Sequence, residues 1–114
     1  MKKYIKLAEN DKGMTHAEIS VYYNLGGYNL ATYKEEARGY YLMILPIKRE
    51  DKGGYILNTF EGFSGLKLCL QTVNRKSAKA EREAIDKVLS NIEQLVNFAL
   101  QDTDFKVDSW ELID

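Results

Sequence analysis

The chain has 114 residues, 45% of them apolar and 29% charged, with a formal net charge of −1. That length is enough for one continuous core without metal or disulfide support, and the apolar fraction excludes an intrinsically disordered chain. A single cysteine, Cys69, excludes an internal disulfide framework and makes the reducing cytoplasm the simplest compartment.

No export or membrane segment is expected. The opening MKKYIKLAENDKG has positive charge but is not followed by an apolar core of roughly 7–15 residues, and no stretch reaches the about 18 apolar residues of a membrane span. Charge is uneven: residues 1 to 84 hold 14 Lys and Arg against 10 Asp and Glu, and residues 85 to 114 hold 2 against 7. A mildly basic body therefore runs into an acidic last quarter, which permits contact with nucleic acid without requiring it.

The first predicted element is a strand over 17–24, where Ala17, Ile19, Val21 and Tyr23 alternate with Glu18, Ser20, Tyr22 and Asn24. Gly26 and Gly27 interrupt it as a turn or bulge, and YNLATY at 28–33 resumes strand character. KEEARG at 34–39 reads as a polar connection to a second hairpin strand. YYLMILPI at 40–47 carries large apolar side chains on both parities and is placed centrally, with regular pairing failing near Pro46. The charged, glycine-terminated loop at 48–54 leads to a fourth strand over 55–60.

Beyond Gly62, Phe63, Leu66, Leu70 and Val73 recur at spacings of three and four, which predicts a short helix over 64–73 capped by Ser64, with Cys69 buried as a small hydrophobe. Asn74 ends it and Ser77 caps a long amphipathic helix over 78–101. Its stripe runs through Ala84, Ile85, Val88, Leu89, Ile92, Leu95, Val96, Ala99 and Leu100. At roughly 36 Å such a helix outruns a small sheet, so its far end is expected to meet a second copy in a homodimer. The tail at 104–114, with Phe105, Val107, Trp110, Leu112 and Ile113, is too apolar to hang free and docks as a short strand or turn. The fold class is thus α+β. A four- to five-stranded antiparallel sheet (17–60) is followed by a short and a long helix, in one domain spanning 1–114.

Catalytic and metal constellations are missing from this pattern. His16 is the only histidine, too few for a zinc site of the usual ligands, and no nucleophile elbow accompanies it. Glu35-Glu36 and Glu50-Asp51 fall in polar connections where carboxylates lack the desolvation a general acid needs. The glycine pair leads into a strand rather than a helix, so it reads as sheet geometry and not as a phosphate cradle. The expectation is a non-enzymatic protein without cofactor or metal.

The informative feature is the interleaving of rings and cations. Tyr22, Tyr23, Tyr28, Tyr33, Tyr40 and Tyr41 fall within twenty residues, with Lys34, Arg38, Lys48, Arg49 and Lys52 at the strand ends, and Arg75, Lys76, Lys79 and Arg82 form a second basic cluster. Exposed strand aromatics with a cationic rim hold single-stranded nucleic acid, since each stacked base contributes about 1–3 kcal/mol while cations track phosphates. The plainer reading is that tyrosine is a favoured strand residue whose ring packs with its hydroxyl wet. The interface is assigned to Tyr28, Tyr33, Lys34, Arg38, Lys48, Arg49, Arg75 and Lys76. The competing class is a protein-interaction module, such as an inhibitor docking on a host protein, which would use the same aromatics.

Two resemblances follow from quoted residues. With ISVYY opening and GYILNTFEGFSGLK leading out of the last strand, residues 17–73 resemble the sheet-then-helix organisation of the Whirly and transcriptional-coactivator group of single-stranded DNA-binding proteins. YYNLGGYNLATYKEEARGYYL, LPIKRE and VNRKSAKAE are similar to small accessory proteins of conjugative transposons and other mobile genetic elements in Gram-positive bacteria. The first resemblance implies DNA binding. The second implies a setting of DNA transfer, element maintenance or interference with host defence.

Overall fold

A computed structural model describes residues 1–30, 33–49, 56–59 and 65–114, with the backbone alone for 56–59. The chain forms β1 (Lys2–Leu7), β2 (His16–Asn24), β3 (Gly27–Asn29), β4 (Lys34–Glu36), β5 (Gly39–Arg49), β6 (Ile56–Thr59), β7 (Leu66–Thr72), α1 (Ala78–Ser90), α2 (Ile92–Leu100) and β8 (Val107–Ile113). The α+β class expected from the sequence is what is found.

The main sheet is antiparallel in the order β6-β5-β2-β1-β8, and β7 also pairs with β5. β7 and β6 share one edge of β5, β7 pairing with Gly39 through Ile44 and β6 taking over at Ile47. Six strands therefore fill five positions. Pro46 stands at the changeover, where no partner needs its missing N–H, while its pairing with Ala17 on the other side continues unbroken. β5 is an interior strand with partners on both sides, one position from the edge, while β2 holds the middle of the sheet.

Both helices lie on one face of the sheet. Ala80, Ala84 and Val88 of α1 and Val96, Ala99 and Leu100 of α2 close over Ile5, Leu7, Ala17, Ile19, Val21, Leu42 and Ile44. Ile5, Ile19, Leu42, Ile44, Val88 and Val96 are fully buried, each contributing about 1.5–3 kcal/mol by transfer from water. Ser77 caps α1 as expected, its Oγ accepting from the Ala80 N–H at 3.2 Å. Tyr40 fixes the same corner, its hydroxyl donating to Ser77 O and accepting from Ser77 N–H, both at 3.2 Å.

Four expectations are corrected. Residues 66–72 form a strand instead of a helix: Leu66, Leu68 and Leu70 alternate with Lys67, Cys69 and Gln71, and that period of two meets an open edge of β5 which only a strand can satisfy. Ser64, its expected cap, lies outside the described residues. Strand parity also turns Cys69 outward, so the thiol is exposed, 3.9 Å from Thr72 Oγ1.

The single long helix over 78–101 is broken at Asn91, whose φ of −126° and ψ of 24° end α1 and start α2. Its side-chain N–H₂ donates to Lys87 O at 2.8 Å, which takes up one carbonyl of the α1 end, while its own carbonyl accepts the Leu95 N–H of α2 at 3.0 Å. Val96, Ala99 and Leu100 of α2 pack into the core of the chain's own sheet, while Phe98 is 57% exposed. Residues 34–36, read as a connection, form β4. The N-terminal segment is β1, a core strand that its lysines disguised. The tail docks as a strand, β8, as anticipated, and its partner is β1.

Candidate interface at the hairpin end

β2 and β5 belong to one long hairpin. Asn24 pairs with Gly39, and beyond a gap Gly27 pairs with Glu36 in the same register, so β3 and β4 prolong the ladder as a separate two-stranded arm. Two glycines permit the break. Gly26 has φ 77°, and a Cβ there would lie 2.9 Å from both Glu36 O and Arg38 N. A Cβ on Gly39 would come within 2.0 Å of Gln71 O, so β7 approaches β5 at a distance that only glycine allows.

The arm presents its apolar side chains to solvent. Leu25 is 70% exposed, Tyr28 57%, Leu30 78% and Tyr33 77%. Tyr33 closes the tip with its N–H donating to Asn29 O at 2.8 Å and its own φ at 56°, a left-handed conformation that a bulky side chain rarely adopts.

The base of the arm is clamped to the sheet. Glu36 Oε1 accepts from Asn24 Nδ2 at 3.1 Å and Asn29 Nδ2 at 3.4 Å, and its Oε2 pairs with Lys67 Nζ of β7 at 2.5 Å. The bond from Lys67 holds the Glu36 carboxyl below the usual carboxylate range, with Asn24 adding to it. Reciprocally, Glu36 raises the Lys67 ammonium. Tyr22 stacks on Tyr41 with ring centroids 6.1 Å apart, and burial raises both phenols.

Arg38 joins the arm to the segment before α1: its Nε donates to Leu25 O at 3.0 Å, its Nη1 to Asn74 O at 3.4 Å, and its carbonyl accepts from Val73 N–H at 3.0 Å. Arg75 and Lys76 follow Asn74 directly, and Lys76 Nζ stands 5.8 Å from the centroid of Tyr23. Lys34, Arg75 and Lys79 form no ion pair among the described residues.

Of the eight residues assigned from sequence, the fold thus gathers Tyr28, Tyr33, Lys34, Arg38, Arg75 and Lys76 at one end. Lys48 and Arg49 lie at the far end of β5, roughly 33 Å away along the strand, and Lys52 lies outside the described residues. The six clustered tyrosines divide as well. Tyr40 and Tyr41 are buried, Tyr22 and Tyr23 are packed at the sheet, and only Tyr28 and Tyr33 are largely exposed. Sequence reading missed Leu25 and Leu30. A leucine just before a glycine pair, and another at a hairpin tip, were the available signal.

Among the described residues no group of three or more His, Cys, Asp or Glu side chains is placed to hold a metal ion. None of the helices is long and apolar enough to cross a membrane. Comparison with protein-family models, with curated proteins and with solved structures finds no match for the chain.

Proposed function

We propose that the protein is a non-enzymatic binding module that holds single-stranded nucleic acid on its hairpin arm. Tyr28 and Tyr33 offer ring faces to bases, while Lys34, Arg38, Arg75 and Lys76 attract the phosphates between them. The observation that carries this reading is Tyr33. A large ring held in left-handed backbone and left in water returns nothing to the fold, and strain of that kind is retained where a surface has work to do. The resemblance to mobile-element accessory proteins supplies a setting of DNA transfer or element maintenance, and a single exposed thiol fits the reducing cytoplasm.

The test is anisotropy of a labelled oligothymidine titrated with the full chain. Tyr28→Ala should weaken binding by about fivefold or more, the loss of one stacked base, without changing the thermal midpoint. A salt-independent affinity at low ionic strength would reject the reading.

One observation favours a second reading, docking on a host protein. Leu25 and Leu30 are as exposed as the tyrosines, and aliphatic side chains have no ring to stack on a base, whereas protein partners bury them. Leu25→Ser with Leu30→Ser leaves oligonucleotide affinity unchanged if nucleic acid is the ligand.

A further inference from the structure

At the end of the sheet opposite the arm, a groove of about 660 Å³ opens between the end of β1, the loop at 8–15 and the end of β5. That volume lies within the range of small-molecule sites. Leu7, Met14 and Ile113 are the groove's apolar lining residues; Leu7 and Met14 belong to the buried core, and Ile113 of β8 is half-buried. The loop is preformed by one side chain. Asn10 Nδ2 donates to Ala8 O at 3.1 Å and Met14 O at 2.7 Å, while its Oδ1 accepts from the N–H groups of Lys12 at 3.2 Å and Met14 at 3.1 Å.

The charged lining is mainly cationic, with Lys6 and Arg49. Lys6, His16 and Arg49 face the groove against Glu9, the one acid among the described residues that line it. Arg49 is held in place from two sides. Thr15 Oγ1 accepts from Arg49 N–H at 2.8 Å, donates to Arg49 O at 3.2 Å and stands 2.7 Å from His16 Nδ1. The guanidinium lies 3.9 Å over the ring of Tyr4, and its Nη2 donates to Asp114 O at 2.6 Å. Stacking engages the face of the fork and leaves edge N–H groups for a planar anion.

We infer that this groove binds a small organic anion, with its carboxylate or phosphate on Arg49 and its apolar body against Ile113. Lys6, exposed on β1, adds attraction at longer range. The site is separate from the arm and takes Arg49 out of the nucleic-acid interface to which its sequence neighbours assign it.

The experiment titrates the full, isotope-labelled chain with benzoate, phenyl phosphate and neutral benzamide, followed by amide and methyl NMR shifts. One of the anions should move Gly13, Thr15 and the Met14 methyl saturably, and which one does so separates a carboxylate from a phosphate ester as the natural source. Benzamide should bind at least about tenfold more weakly, and Arg49→Met should weaken the anion by at least about tenfold. Lys6→Met gives a milder loss and serves if Arg49→Met fails to fold, which the α1 resonances report. Tyr28→Ala should have no effect, so failure here is distinguishable from failure at the arm. No saturable shift at millimolar probe, equal binding of benzamide, or unchanged affinity in a folded Arg49→Met or Lys6→Met variant overturns the proposal.

Discussion

Tyr33 occupies a backbone region that costs a non-glycine residue roughly 1–2 kcal/mol, and its ring gains little burial in exchange. Tyr33→Gly should therefore leave stability unchanged or raise it by up to about 1 kcal/mol in urea denaturation, while weakening oligonucleotide binding. A variant that loses stability and affinity together would make Tyr33 a structural residue. Glu36 makes a different kind of statement. Because its folded-state value is depressed, its contribution to holding the arm is present above the usual carboxylate range and lost as pH falls through the depressed value. Lys67 is raised, so its share is present below the usual lysine range and lost as pH rises through the raised value. Amide-exchange protection of Asn29 and Lys34 should hold a plateau between those limits, and Glu36→Gln should remove the acid-side edge.

At the level of elements, the places where sequence patterns misled are those where two periods coexist. Leu66, Leu70 and Val73 satisfy a helical spacing, and Leu66, Leu68 and Leu70 satisfy a strand. The choice fell to the unpaired edge of β5, which lies far away in sequence. The break at Asn91 was equally hidden, since no glycine or proline marks it and the apolar stripe runs through it in phase. By contrast β2, β5, the Ser77 cap and β8 were readable, because alternation, hydroxyl capping and tail hydrophobicity act locally. The close approach of β5 and β7 at Gly39 yields a sharp prediction. Gly39→Ala places a Cβ against the backbone of Gln71 and Thr72, with no flexible side chain to give way. The cost should reach at least about 1–3 kcal/mol in thermal or urea melts, with the arm amides losing protection first.

For the molecule as a whole, the hairpin divides the cations between two ends, and that division is testable by charge. Single-stranded nucleic acid loses roughly 0.7 units of log–log salt slope for each phosphate contact removed. Lys34→Gln with Lys76→Gln should therefore flatten the slope by about 1.4, whereas Lys48→Gln should leave it alone. An equal change at Lys48 would lay the strand along the sheet instead of across the arm. Alternation, composition and capping are properties of neighbours in the chain, so residues alone settled the α+β class, an interior β5, the Ser77 cap of α1 and a docked tail. Which tyrosines are covered, which cations share an end and where β7 pairs depend on residues that only folding brings together. The arm and the groove, as surfaces built from distant segments, were decided by the tertiary structure.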